Sequence, residues 1–143
     1  MSAWAAAYAA TNAAEFACRT ASVVLLRRER RQALARAAVH ASTRTRIQAS
    51  FDNQESLPVA PPAYVSPDDL TTPEDGRALM ARTENALVPV YADLAAETTG
   101  ADRTWAVDQA IDCAVSGVRW GGASQAFPHA SPADDVPTQS EDE

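Results

Sequence analysis

The chain has 143 residues, 12 arginines, no lysine, 19 acidic residues and a formal net charge of −7, a length that suits one domain with tails. The negative balance argues against general binding to nucleic acid or to anionic membranes. No apolar run reaches the roughly eighteen residues of a membrane span, and the opening residues lack a basic segment ahead of the alanines, so a signal peptide is not expected either. Two cysteines, Cys18 and Cys113, are too few for a disulfide framework and lack metal-ligand spacing. They read as small buried hydrophobes in a reducing, cytoplasmic setting.

The pattern predicts four helices. The first covers Ser2 to about Ser22, with Trp4, Tyr8, Glu15, Cys18 and Ser22 on one stripe and Thr11 and Asn12 beside it. A turn over 22–26 is inferred from architecture alone, since no glycine or proline marks it.

The second helix runs from about Arg27 to Phe51. Leu26, Ala33, Ala37, His40, Arg44, Ile47 and Phe51 recur along it at heptad-like steps, as in a seam packed lengthwise on other helices. Seven arginines (27, 28, 30, 31, 36, 44 and 46) crowd the same stretch with Glu29 as the only acid. The solvated ones suit an acidic protein partner or a homodimer contact.

Residues 52–72 carry Pro58, Pro61, Pro62 and Pro67 and cannot stay helical. Extended chain covers about 3.3 Å per residue, enough to travel the ~37 Å length of the second helix and start the third at the far end. The second and third helices would then be parallel, joined by one long crossover, as in ferritin-like bundles.

The third helix opens with Thr72 as N-cap, Pro73 at N1, and Glu74 and Asp75 in the first turn. Its seam is Met80, Glu84, Leu87, Tyr91 and Leu94, with Pro89 expected to kink it and Gly100 to end it. The fourth spans about Asp102 to Trp120, with Val107, Ile111, Ala114, Val115 and Val118 as its apolar face, Asp112 at the edge of that face, and Gly121 and Gly122 as its stop. From Ala123 the chain has three prolines, five acids and no base. The expected division is therefore a helical domain over 1–128 and a disordered acidic tail over 129–143.

Every predicted helix thus sets an ionisable group on or beside its inner face: Glu15, His40 with Arg44, Glu84, and Asp112. Carboxylates and histidine on facing helices are the ligands of carboxylate-bridged di-iron bundles. Those sites use Glu-x-x-His pairs, whereas Ala37 stands three residues before His40 and Val115 three after Asp112. Arg44 adds a fixed positive charge one turn from His40. The set therefore reads as a buried polar network in which Arg44 pairs with Glu84 or Asp112 and His40 with Glu15 or a backbone group. No metal or other cofactor is expected; if one binds, it is iron or manganese held by Glu15, His40, Glu84 and Asp112. No nucleophile, base or phosphate-cradling glycine loop points to catalysis.

Several stretches resemble the ferritin-like actinobacterial family known as domain of unknown function 4439, over about residues 3–128. They are AAEF at 13–16, where the family tends to have Ala-Glu-His; His40 followed by Arg44; PPAYVSP at 61–67; TENALVPVYADL at 83–94; and AIDCAVSGVRWGG from Ala110. The resemblance implies a ferritin-like four-helix bundle without a proven activity. It maps the family's polar positions onto Glu15, His40, Arg44, Glu84, Asp112, Arg119 and Trp120. Phe16 and Pro89 depart from the pattern, and both departures lead away from a metal enzyme. The expected role is a non-catalytic accessory or interaction protein; the alternative is a degenerate metal-binding bundle.

Overall fold

The computed structural model describes residues 2–51 and 69–124 and forms four helices: α1 (Ala3–Ser22), α2 (Arg27–Ala49), α3 (Pro73–Glu97) and α4 (Gly100–Arg119). There is no strand among the described residues. The architecture is an all-α four-helix bundle, as the periodicity predicts. The predicted crossover and acidic tail fall largely outside the described residues.

Side-chain pairs give the helix directions. Glu29 meets Arg77 and Arg36 meets Glu84, so α2 and α3 run parallel. Glu15 meets Arg44, and Asp112 meets Arg36 while Asp102 meets Arg46, so α1 and α4 both run antiparallel to α2. The chain between α2 and α3 therefore joins opposite ends of the bundle. The helices α1 and α2, α1 and α3, and α3 and α4 pack closely. Long side chains bridge α2 to α4: Arg36 to Asp112, Thr43 to Gln109 and Arg46 to Asp102.

The helix ends follow local chemistry. Thr72 and Asp75 make a reciprocal capping box at α3, with Pro73 just inside it. The N–H groups of Thr71 and Thr72, and the Thr72 side chain, hold the Asp75 carboxyl below its ordinary range. At the end of α4, Gly122 N–H bonds to the Gly117 carbonyl and Gly121, at φ +95°, bonds to that of Val118, a Schellman ending. Gly100 opens α4 instead of closing α3, which ends at Glu97 before two extended residues, Thr98 and Thr99. α3 continues as one helix through Pro89.

The turn that carries no glycine is closed by a side chain. Arg30 Nε donates to the carbonyls of Ser22 and Leu25, both at 3.0 Å, and so satisfies orphan acceptors at the end of α1. Arg27 takes a left-handed backbone (φ +44°) to enter α2, a conformation that costs a non-glycine residue about 1 kcal/mol.

Two predicted faces are corrected. Leu25 is fully buried while Leu26, the predicted start of the α2 seam, is 61% exposed. The hydrogen-bonded turn of 22–25 rotates the chain by one residue, and Leu25 packs beside Gly76. On α4 the buried positions are the small ones, Ala106, Cys113, Ser116 and Gly117. Val107, Ile111, Val115 and Val118 are exposed, forming an apolar stripe on the outside. Small residues take the inner face where α3 and α4 pack closely: at Gly117 the Asn85 side chain fills the space a Cβ would need, with Oδ1 2.1 Å from where it would lie.

The core is split in two. Ile47, Leu87, Val88, Tyr91 and Leu94 fill one half and Leu25, Ala33, Ala37, Leu79 and Met80 the other. In the first half the Thr11 and Tyr91 hydroxyls share a buried 2.6 Å hydrogen bond, and Trp105 stacks on Trp4 and meets the edge of Tyr91. Between the halves lies a layer of charge.

Candidate functional site

That layer is centred on Glu84, which the α3 periodicity turns inward between Met80 and Leu87 and which is fully buried. Arg36 of α2 donates from Nε to Oε1 and from Nη2 to Oε2, each at 2.8 Å, a two-pronged contact that fits guanidinium to carboxylate. Its third nitrogen, Nη1, donates to Asp112 Oδ2 of α4 at 2.8 Å. His40, 2% exposed, sets Nε2 3.1 Å from Glu84 Oε1. Since a carboxylate only accepts, that nitrogen carries the proton.

The electrostatics follow from this geometry. Burial pushes the Glu84 carboxyl up, but the hydrogen bonds and charges of His40 and Arg36 outweigh it and hold the group below its ordinary value. Arg36 is held protonated: burial alone would lower it, and Glu84 and Asp112 together raise it. Burial, then the charge of Glu84, pushes the Cys18 thiol up to about 12. The same two causes raise Cys113. At neutral pH the layer therefore holds the buried Glu84 carboxylate, the Arg36 guanidinium that also reaches Asp112 at the rim, and protonated thiols.

Of the predicted site residues, His40, Glu84 and Asp112 come together, but around Arg36 instead of Arg44. Arg44 instead pairs with Glu15 and bonds to Asn12 Oδ1 at 2.9 Å, at the α1–α2 edge away from Glu84. Arg19 joins the same Glu15 at 3.2 Å. His40 accordingly bonds to Glu84 and not to Glu15. Asp112 stands at the rim, about half exposed.

Arg36 and the cysteines are the members that the sequence reading passed over. Arg36 lies three residues after Ala33 and four before His40, so it fits the α2 stripe as well as Ala37 does. Apolarity favoured Ala37 at that choice, and the structure turns both inward. The arginines of α2 are also less free than their number suggests: Arg30 closes the turn, Arg36 and Arg44 form ion pairs, and Arg46 sits 4.0 Å over the Trp105 ring.

Ligand atoms of Cys18, His40 and Glu84 lie within 4.8 Å of one another. They do not fit a di-iron centre. Such a centre needs several free carboxylates, whereas among the described residues Glu84 is the one buried carboxylate at the centre and Arg36 occupies both of its oxygens. A cation there would also face the Arg36 charge and would have to displace the proton of a thiol raised to about 12. What the arrangement can do chemically is lock α2, α3 and α4 in register around a fully paired buried charge.

Among the described residues no helix is long and apolar enough to cross a membrane. No curated protein and no solved structure matches the chain. A family model matches it over residues 3–131, nearly its whole length. The chain therefore belongs to the family described as a domain of unknown function, DUF4439.

Proposed function

We propose that the protein is a non-catalytic, ferritin-like helical bundle acting as an accessory or interaction protein. The observation that carries this reading is the state of Glu84: the acid placed where a bundle enzyme would hold its metal has both oxygens engaged by Arg36. With its centre closed, the molecule works through its surface. The parallel course of α2 and α3 supports the ferritin-like topology. The two free, buried thiols are in keeping with a reducing cytoplasm, and the all-arginine cation set with a GC-rich actinobacterial genome.

The surface best suited to interaction is the outer stripe of α4. Val107, Ile111, Val115 and Val118 fall at helical spacing on the side away from the core, with no charge within the stripe. Its partner is a second copy: an antiparallel twofold pairing sets Ile111 against Val115 of the other copy in both directions, so the surface complements itself. Sedimentation equilibrium of the full chain is expected to give a dimer that Ile111→Glu converts to monomer. A wild-type monomer at high micromolar concentration would refute the self-association.

A second reading, a degenerate metal-binding bundle, is favoured by the convergence of Cys18, His40 and Glu84. Elemental analysis after expression with added iron or manganese separates the two. Background metal is expected; stoichiometric metal that disappears in Glu84→Ala would establish the second reading instead.

A further inference from the structure

Beside the turn that joins α1 to α2, the last turn of α4 stands off from the first turns of α2 and leaves a cleft of about 470 Å³. Arg28, Gln32 and Arg36 line it from α2, Arg77 from α3, and Arg119 and Trp120 from α4. That size suits a small ligand. Trp120 is half-buried and packs against the Leu25–Met80 half of the core, which anchors its indole at the cleft wall.

The charges of the cleft are unequal. Arg36 is answered by Glu84 and Asp112, and Arg77 is 3.4 Å from Glu29, the one acid lining the cleft among the described residues. Arg28 and Arg119 are exposed and form no ion pair among the described residues. Arg77 Nη1 is buried without a hydrogen-bond partner among the described residues, and a buried donor left unmade favours the arrival of an acceptor. In a chain of net charge −7, three arginines answered by one acid make a local positive concavity, and low-dielectric walls focus such a field on anions. A guanidinium matches two oxygens of a phosphate at once, and an indole takes a planar ring on its face.

We propose that this cleft binds a small polyanion bearing a planar ring, of nucleoside-polyphosphate chemistry. Arg28, Arg77 and Arg119 take the phosphate oxygens, and Trp120 takes the ring. The cleft adjoins the Glu84 layer through Arg36, whose guanidinium is taken up by Glu84 and Asp112, but the phosphate contacts fall to other arginines, so the proposal does not rest on how that layer or the outer stripe of α4 is read.

The test is calorimetric titration of the full-length protein with ATP, pyrophosphate and adenosine, at about 50 and about 300 mM NaCl. Saturable one-to-one ATP binding is expected, weakened at least about tenfold by the higher salt. The double variant Arg28→Gln/Arg119→Gln should bind ATP at least about tenfold more weakly, with an unchanged melting curve because both side chains are exposed. Trp120→Phe should weaken ATP more than pyrophosphate. Absence of saturable binding of ATP and pyrophosphate overturns the proposal, as does undiminished ATP binding by the double arginine variant. Tighter binding of a polyglutamate peptide or of duplex DNA than of ATP also overturns it, assigning the cleft to a macromolecular anion.

Discussion

Replacing Arg36 with methionine keeps much of its apolar stem but leaves Glu84 buried with His40 and the Cys113 thiol as hydrogen-bonding partners and no guanidinium against it. Two 2.8 Å charge-assisted bonds to a fully buried carboxylate are lost. At an effective dielectric near 20, opposite charges about 4 Å apart interact by about 4 kcal/mol. Removing one member of a buried pair typically costs about 3–5 kcal/mol, because the other charge is left in place. Asp112 adds little, being half exposed. Arg36→Met is therefore expected to lower the unfolding free energy by about 3–5 kcal/mol, read from urea melts at pH 7. Arg44→Met, whose pair with Glu15 is partly solvated, should cost about 1 kcal/mol or less. In the double variant Arg36→Met/Glu84→Gln the charge itself is gone, and a substantial part of the loss should return. If Arg36→Met costs less than about 1 kcal/mol, or no more than Arg44→Met, Glu84 is not the charge that the layer is built to hold.

Acid should unfold the protein through the same group. Glu84 is held below its ordinary value of 4.5, so its stabilisation is fully present above that pH and fades as pH falls through the lower folded-state value. Glu84→Gln should flatten the loss of stability below about pH 4.5, and an unchanged acid profile would exclude Glu84 as its source. Gly117→Ala, which sets a methyl 2.1 Å from Asn85 Oδ1 but an ordinary 3.6 Å from the Asn85 backbone nitrogen, should cost about 1 kcal/mol by displacing the Asn85 side chain from its rotamer; thermal melts that coincide with wild type would contradict that contact. Leu25→Ala should cost about 2–5 kcal/mol and Leu26→Ala under about 0.5 kcal/mol, and the reverse order would mean that the turn into α2 is out by one residue.

Much of the bundle is legible in the residues. Periodicity gives the four helices and the full α3 seam, Thr72-Pro73 and Gly121-Gly122 mark two of the ends, and the length of the proline-rich connection implies parallel α2 and α3. These signals are local, set by capping geometry and by the 3.6-residue repeat. The sequence by itself also turns Glu84 and His40 inward, and both are buried.

Their partners are another matter. Arg36 and Arg44 lie on neighbouring faces of α2, and nothing within the chain order says which one meets α3. Only packing decides it: α1 takes the Arg44 edge with Glu15, while α3 and α4 present Glu84 and Asp112 to Arg36. The same holds for the outer face of α4, where apolar content pointed inward until the close approach of α3 claimed the small residues instead. A helix's repeat fixes which residues share a face. Which face is buried, and which charge answers which, depends on how closely neighbouring backbones approach.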